Sequence, residues 1–348
     1  MGRLLFIGAV ALLAGGMLRF AATDSAVWSR AMKTGGMNDL IGGDGRLFLA
    51  RMQSNQVWSI TASRSQPITV PRPLRLIPDG RNDFYVLSLL RGVVTWLRAA
   101  DLSTREIAFS PSCYVQGMAV EPDGAWIAGF LKGRVDDEKK RHFYLPEYGT
   151  FEWFILHEKP PLPARLAVDD KVRLFRNETW HEESGGGWSL LPAGDSLILV
   201  NDQAESVASL RRADGELQWR SVTAKRPVAA LLDGDLVIVA SGQDGVIEGF
   251  RLADGAKAWQ TDVGRGLTDV VLFQDLVVAA DWAGDRIVAL EPAGGKIVRE
   301  TGLGGAPRVL WADRDRLWIG LEAANCLVGW DAQWRETNRI RLSDGEGR

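Results

Sequence analysis

The side chains best suited to metal binding lie together in one part of the chain. All three histidines, His142, His157 and His181, fall in one stretch, and Glu182 follows the last of them. Imidazole nitrogens and carboxylate oxygens are ligands that zinc accepts. The sequence WHEES around His181 nevertheless lacks the second histidine of the H-E-x-x-H helix motif. We therefore predict no metal site, and His142, His157, His181 and Glu182 are the candidates if one exists.

Other catalytic arrangements have few residues to carry them. A G-x-S-x-G nucleophile elbow does not occur, and a Ser-His-Asp triad would need one of the same three histidines. The glycines at 185–187 lack the Lys and Ser/Thr of a phosphate-binding loop. Asp and Asn are plentiful but mostly lie at turns, where local hydrogen bonding accounts for them. We predict no catalytic residue, and cofactor-binding residues remain unassigned.

The composition is that of a folded protein with an unusual residue choice. Of 348 residues, 46% are hydrophobic and 24% charged, which excludes a disordered chain and a polytopic membrane protein. The net charge of -3 gives no electrostatic footprint for nucleic acid. The 14 tryptophans and 38 glycines indicate a repeated β architecture. The two cysteines, Cys113 and Cys326, lie in apolar surroundings and are interpreted as buried small residues.

The N-terminus carries an export signal or a membrane anchor. Residues 4–18 are apolar and uncharged, and Arg3 precedes them. Fifteen residues are short for a spanning helix but fit the apolar region of a secretory signal. We therefore assign residues 1–26 to a signal peptide or anchor, with a buried helix as the alternative. The predicted location is periplasmic or extracellular, either free or anchored to the inner membrane, and without a nearby cysteine a lipoprotein attachment is excluded.

The chain repeats with a period near 40 residues. Asp214, Gly215 and Trp219 recur 40 positions later as Asp254, Gly255 and Trp259, and Gly295 continues the register. The tryptophan has no match in that third copy, where Val298 lies one position early. Further strand starts fall at 194, 234, 274 and 314. Each unit reads as four short strands joined by tight turns.

Such a repeat predicts an all-β fold, a β-propeller of four-stranded blades. Diverged units begin near 44, 81 and 123, which gives seven blades, with eight as the alternative. A β-solenoid or β-sandwich fits the period less well. The last unit, 314–342, is one strand short in this reading, so we predict that residues 27–41 pair into it and close the ring. The single domain spans 27–342, followed by a tail, 343–348.

One segment, about 131–193, breaks the period. It contains a charged run at 134–142, several aromatic residues and a proline cluster at 159–163. It holds one unit with an insertion or two poor units. Loops inserted on a rigid scaffold often carry binding residues, and exposed aromatics favour interfaces. We predict a partner-binding loop in this segment.

The C-terminal half resembles the pyrroloquinoline-quinone-type propeller repeat, through Asp214, Gly215 and Trp219 and their copies 40 residues later. The Pro-Asp-Gly sites at 78–80 and 122–124 resemble the YVTN-type repeat of surface and periplasmic propellers. The resemblance implies that the tryptophans pack between neighbouring blades. The quinoprotein dehydrogenases of this family carry adjacent cysteines, which this chain lacks. Its lactonases use carboxylates around a central metal, and its outer-membrane assembly propeller has no enzymatic role.

These observations predict a scaffold rather than an enzyme. We expect an exported propeller that binds a protein of the cell envelope or of a periplasmic redox complex, without nucleic acid. The alternative is a propeller enzyme, either a metal-dependent lactonase or hydrolase or a subunit of a quinoprotein-type dehydrogenase. No cofactor is predicted, and neither calcium nor pyrroloquinoline quinone has support in the sequence. Propellers host many unrelated activities, so the fold alone does not decide.

Overall fold

A computed structural model describes residues 36–43, 45–88, 93–108, 113–121, 124–131, 153–158, 173–176, 187–201, 205–212 and 217–342. Its 28 strands form seven four-stranded antiparallel sheets, each built from four strands consecutive in the chain. None of the described residues forms a helix of the length and hydrophobicity that crossing a bilayer requires. The predicted signal segment, 1–26, and the tail, 343–348, lie outside the described residues.

The first four sheets take up the N-terminal part of the described chain. Sheet 1 contains β1 (Asp39–Gly43), β2 (Arg46–Arg51), β3 (Gln56–Ile60) and β4 (Ser65–Thr69). Sheet 2 contains β5 (Pro73–Pro78), β6 (Phe84–Ser88), β7 (Val93–Leu97) and β8 (Thr104–Ala108). Sheet 3 contains β9 (Cys113–Glu121), β10 (Gly124–Leu131), β11 (Trp153–Glu158) and β12 (Arg173–Arg176). Sheet 4 contains β13 (Gly187–Ala193), β14 (Ser196–Asn201), β15 (Ser206–Arg211) and β16 (Leu217–Val222).

The last three sheets follow the same plan at a spacing of about 40 residues. Sheet 5 contains β17 (Pro227–Asp233), β18 (Leu236–Ser241), β19 (Val246–Arg251) and β20 (Lys257–Asp262). Sheet 6 contains β21 (Leu267–Phe273), β22 (Leu276–Asp281), β23 (Arg286–Leu290) and β24 (Ile297–Gly302). Sheet 7 contains β25 (Pro307–Ala312), β26 (Arg316–Leu321), β27 (Cys326–Asp331) and β28 (Glu336–Arg341).

Tight turns connect the first two strands of each of these sheets. In sheet 6 the turn residues Gln274 and Asp275 both have positive φ, +51° and +58°. Two consecutive residues of this kind make the hairpin turn whose twist matches that of the flanking strands. Gly234 takes the first of these positions in sheet 5. The polar turn pairs of the sequence therefore mark the hairpins, as predicted.

The hydrophobic core lies between the sheets. Every residue of β18, the second strand of sheet 5, is buried, whereas the outermost strand β28 is almost wholly exposed. Ile238 and Ile247 of sheet 5 pack with Val277 and Val288 of sheet 6 in one buried cluster. Face-to-face packing of four-stranded antiparallel sheets, with the first strands innermost, is the architecture of a propeller. The predicted fold class, an all-β propeller of four-stranded blades, is confirmed.

The predicted closure of the ring was wrong. Residues 39–43 form β1, which pairs with β2 in sheet 1 and not with any strand of sheet 7. Sheet 7 obtains its fourth strand from β25, which pairs with β26. The predicted units began one strand too late, because in sheets 5 to 7 the connections within a sheet and those between sheets are all short, so their length does not mark where a blade ends. Residues 27–35 of the proposed closing segment lie outside the described residues.

The first and last sheets nevertheless lie side by side. Met37 and Leu40 pack against Val309 and Trp318 of sheet 7 in one buried cluster. The backbone N–H of Met37 donates to Glu322, at the end of β26, over 3.2 Å. Side-chain packing therefore joins the two ends of the described chain. Within the irregular segment, the described residues contribute the last two strands of sheet 3 and the first strand of sheet 4. The charged run at 134–142 and the proline cluster at 159–163, where a partner-binding loop was predicted, lie outside the described residues.

Candidate functional site

The tryptophan and glycine of the repeat lie against each other at the boundary between neighbouring sheets. Gly255 follows β19 with φ +70°, and a Cβ there would lie 2.7 Å from Cδ2 of Trp219. Gly295 has φ +66°, and a Cβ there would lie 2.8 Å from Cζ3 of Trp259. Only glycine combines this backbone conformation with so close an approach. The repeated tryptophan and glycine are therefore the two residues that form the contact between one blade and the next.

At the contact between Trp219 and Gly255, the neighbouring polar side chains form hydrogen bonds and an ion pair with one another and with the backbone. Trp219 Nε1 donates to the Leu252 carbonyl at 2.9 Å, and Ser221 Oγ donates to the Gly255 carbonyl at 2.5 Å. Asp254 forms an ion pair with Arg251 at 2.7 Å. The Arg251 guanidinium beside it lowers the pKa of the Asp254 carboxyl. These side chains stabilise the turn and the interface, whereas Asp214 and Gly215 lie outside the described residues.

In sheet 6 the position of the repeat tryptophan holds a different residue. Arg299 lies opposite Ala289, as Trp259 lies opposite Gly249 one sheet earlier, so Arg299 rather than Val298 replaces the tryptophan. The guanidinium of Arg299 lies 4.8 Å from the ring centre of Trp334, which comes from the turn after β27 in sheet 7. At the boundary between sheets 6 and 7, the aromatic ring is therefore Trp334 of sheet 7, whereas at the two preceding boundaries it is a tryptophan of the earlier sheet.

The predicted metal candidates are not brought together by any described contact. His142, His181 and Glu182 lie outside the described residues. His157 lies in β11, where its backbone is opposite Trp126. Within the described ranges, no group of three or more His, Cys, Asp or Glu side chains is arranged to hold a metal ion.

Two equivalent carboxylates lie on first strands, at the inner edges of sheets 1 and 6. Asp39 Oδ1 accepts the N–H of Leu40 at 2.9 Å, and its Oδ2 accepts the N–H of Leu76, in sheet 2, at 2.7 Å. Asp269 repeats the pattern, accepting Val270 at 2.8 Å and Leu310, in sheet 7, at 2.7 Å. Each carboxylate therefore joins its own sheet to the next and satisfies a donor on an inner edge that has no further strand to pair with.

Arg75 brings a positive charge to the same region. It lies on β5, and its Nη2 donates to the Val228 carbonyl of sheet 5 at 3.2 Å. Sheets 2 and 5 are not neighbours, so this bond crosses the centre of the propeller. Arg75, Asp39 and Asp269 form what we call the central charge cluster.

Burial shifts the two carboxyl groups of this cluster in the same direction. Burial raises the pKa of Asp269 to about 7, and the neighbouring Asp39 charge adds to the rise. Burial also raises the pKa of Asp39, against the lowering effect of Arg75. A carboxyl group with a pKa near neutrality can accept or donate a proton at physiological pH. Among the described residues, the cluster is therefore a candidate for acid–base chemistry.

The connections between blades form one face of the molecule, which we call the loop face. It consists of the turns between the second and third strands together with the connections to the next first strand. Gly242 N donates to the Arg226 carbonyl at 2.9 Å, and Gly266 N donates to the Gly242 carbonyl at 3.0 Å. Trp282 Nε1 donates to Glu322 Oε2 at 3.1 Å, joining sheets 6 and 7. Successive loops are thus tied to one another.

A buried charge supports one of these loops. Glu248 in β19 is 0% exposed, and its Oε2 accepts the N–H of Ala224 at 2.7 Å. Lys257 Nζ lies 2.5 Å from the other oxygen, Oε1. The equivalent positions 40 residues to either side are Ala208 and Val288. A charge at a position that is otherwise apolar therefore fixes the connection at 223–226.

Sequence reasoning missed the central charge cluster and Glu248. Asp39 and Asp269 are 230 residues apart, and no local spacing relates them. One signal was available, since both aspartates directly precede apolar strand residues rather than standing in a turn. Glu248 breaks the apolar pattern of its strand between Ile247 and Gly249. Charged residues inside apolar strands would have been the pattern to search for.

Comparison with known proteins agrees with the repeat. Residues 169–318 match a family model described as outer membrane protein assembly factor BamB. The matched residues include the regular 40-residue units, which are thereby confirmed as pyrroloquinoline-quinone-like propeller repeats. The match covers less than half of the chain. No curated protein matches the chain in sequence.

Solved structures with the same fold are distant in sequence. A streptogramin B lyase is 12% identical with a TM-score of 0.63, covering 83% of this chain and 91% of its own. Selenomethionine-substituted virginiamycin B lyase from Staphylococcus aureus is 11% identical with a TM-score of 0.63, covering 89% and 96%. The computationally designed Ika8 protein is 11% identical with a TM-score of 0.60, covering 89% and 87%. At these identities the likeness shows the fold alone.

Proposed function

We propose that the protein is an exported propeller that binds another protein of the cell envelope and acts as a scaffold. The observation that carries this proposal is the use of the repeat side chains. Trp219, Gly255, Trp259 and Gly295 all pack between sheets, so these side chains hold neighbouring sheets against each other and are not available for binding. The loops are left to make the contacts with a partner. Rigid scaffolds with exposed loops are suited to recognition. The match to an assembly factor family over residues 169–318 supports the same reading.

The proposal includes a closed ring with one blade per sheet. Contacts join every pair of consecutive sheets in the described chain, including β1 and β25 at the two ends. Seven sheets then correspond to seven blades. Small-angle scattering of the purified protein tests this, since a compact disc and an open arc of sheets differ in their distance distributions.

Export rests on the apolar stretch at 4–18. We propose a periplasmic or extracellular location, either free or held at the inner membrane by this stretch. N-terminal sequencing of the mature protein from fractionated cells tests this. A new N-terminus near residue 26 supports cleavage, an intact N-terminus in the membrane fraction supports an anchor, and recovery from the cytosol contradicts export.

Affinity capture tests the binding role. The tagged protein is incubated with detergent-solubilised membranes, and bound proteins are identified by mass spectrometry. Excess untagged protein serves as the competitor, because a specific partner is lost from the beads in its presence. We expect at least one competed envelope protein, from the general envelope or from a redox complex. Recovery of no competed protein contradicts the scaffold role.

A second function has one specific observation in its favour. The central charge cluster places Asp39 and Asp269 close enough to interact, with the pKa of Asp269 raised to about 7. A group that titrates near neutrality suits a general acid or base. A propeller hydrolase or lactonase, or a dehydrogenase subunit, is therefore the alternative proposal.

Two measurements decide between these functions. Hydrolysis of a panel of lactones and esters is compared for the wild-type protein and Asp269→Asn. Turnover that the substitution abolishes supports the enzyme. Metal analysis and an absorbance scan test the proposal that no calcium, other metal or pyrroloquinoline quinone is bound. Stoichiometric metal or quinone absorbance would contradict it.

A further inference from the structure

Four exposed basic side chains stand on the loop face. Arg72 lies in the connection between sheets 1 and 2, Lys225 and Arg226 lie between sheets 4 and 5, and Arg265 lies between sheets 5 and 6. All four are exposed, and no ion pair joins any of them to another described residue. We call them the basic rim.

Asp244 is exposed on this face and accepts the backbone N–H of Lys225 at 3.0 Å, but three other acidic side chains are turned inward. Asp285 Oδ1 accepts the N–H of Gly305 at 2.8 Å and that of Ala306 at 2.7 Å. Glu322 is 7% exposed and is occupied by hydrogen bonds to sheets 1 and 6. Asp281 is 1% exposed and pairs with Arg286 at 2.9 Å. These carboxylates serve the fold, so they do little to neutralise the basic rim at the surface.

The backbone that carries the basic rim is held in place. Arg72 and Arg226 have positive φ, +46° and +59°, and each directly precedes a proline that opens a first strand. Arg72 N donates to Asn55 Oδ1 at 2.9 Å. The connection at 223–226 is fixed by the bond from Ala224 N to Glu248. A preorganised loop loses little entropy on binding, which favours recognition.

From this arrangement we infer that the basic rim is the docking surface for an acidic polypeptide segment of the partner protein. The inference rests on the proposed scaffold function and names the chemistry of its partner. Carboxylates of an extended segment pair with lysine and arginine side chains and steer the encounter. A protein segment is favoured over nucleic acid because the chain as a whole carries a net charge of -3.

Direct binding tests the inference. A fluorescein-labelled peptide of eight glutamates is titrated with the full-length protein and followed by anisotropy, with the glutamine peptide as its uncharged counterpart. The test variant is Lys225→Glu/Arg226→Glu. The matched control is Lys296→Glu, an exposed lysine in the turn after β23, on the opposite face. Thermal melting of each variant checks that it is folded.

We expect the glutamate peptide to bind and the glutamine peptide not to. Charge reversal at the basic rim should weaken binding by about tenfold or more, whereas Lys296→Glu should change it less than about twofold. Equal loss in both variants, or no binding of the glutamate peptide, overturns the inference. Tighter binding of a single-stranded oligonucleotide of the same charge also overturns it, in favour of nucleic acid.

Membrane capture separates this inference from the proposed function. A partner captured by the wild-type protein but not by Lys225→Glu/Arg226→Glu supports both. A partner captured equally by both proteins overturns the basic rim and leaves the scaffold role standing. No competed partner with either protein contradicts the scaffold role itself, independently of the peptide result.

Discussion

Substituting Gly255 with alanine tests the contact between blades directly. The new Cβ would lie 2.7 Å from Cδ2 of Trp219 and 2.8 Å from Ser221 Oγ, on a residue with φ +70°. A left-handed backbone costs a residue with a Cβ about 1–2 kcal/mol. Forcing an extra carbon into a packed interface costs about 1–3 kcal/mol. We therefore expect Gly255→Ala to lower the free energy of unfolding by about 2–5 kcal/mol.

The chain supplies a matched control. Gly234 also has positive φ, +56°, but a Cβ there would meet nothing within 4 Å. Gly234→Ala should therefore show the backbone cost alone, about 1–2 kcal/mol. The difference between the two variants isolates the tryptophan contact. Gly295→Ala, against Trp259, should reproduce the larger effect, because its surroundings repeat those of Gly255.

The assay is urea unfolding followed by far-ultraviolet circular dichroism, with the midpoint and slope fitted for each variant. The double variant Trp219→Ala/Gly255→Ala completes a cycle. Removing the indole should relieve the steric part of the Gly255→Ala cost, so the two substitutions should not be additive. Equal destabilisation by Gly255→Ala and Gly234→Ala, or strict additivity in the cycle, would refute the argument.

Three further outcomes follow from the described contacts. Between about pH 3.8 and about pH 7, the folded chain keeps the Asp269 proton that the unfolded chain releases, so the free energy of unfolding falls as the pH rises through this range. Asp269→Asn should remove this dependence and flatten that part of the plot of urea midpoint against pH. Trp334→Ala, which removes ring contacts including one at 5.5 Å to Phe273, should cost about 3 kcal/mol in the same assay. Lys257→Met should cost about 3–5 kcal/mol, because it leaves Glu248 buried without its ion-pair partner. Adding Glu248→Val should restore part of this loss but not all of it, because Ala224 N–H then loses its acceptor; no recovery would count against the pair.

The fold class was predictable because turn residues and strand patterns that are local in the sequence recur every 40 residues. The turn pair before Leu236 and the one before Leu276 each start a strand, and the 40-residue spacing between them is visible without any structure. The phase of the repeat was not predictable in this way. Assigning Pro307–Ala312 to sheet 7 requires knowing which strands pair, because the connections on both sides of it, 303–306 and 313–315, are similarly short. Pairing, not turn chemistry, defines the blade.

The central charge cluster was out of reach for a different reason. Asp39, Arg75 and Asp269 come from three sheets, and only the curvature of the ring brings them into one region. The basic rim has the same origin, since Arg72 and Arg226 are separated by 154 positions yet occupy equivalent connections. Sequence spacing identifies what repeats within a blade. Residues that depart from the repeat acquire a role only when the blades are arranged around a centre.

The contact between Arg299 and Trp334 shows why a repeat position can change without loss of the fold. The interface between sheets 6 and 7 has the same geometry as the one before it, so the space that Trp259 fills in sheet 5 must also be filled in sheet 6. There Arg299 takes the tryptophan position and its guanidinium lies against Trp334, which has positive φ, +62°. Close packing constrains the filled volume rather than which blade supplies the ring. A missing repeat tryptophan is therefore a reason to look for an aromatic residue in the next blade's turn.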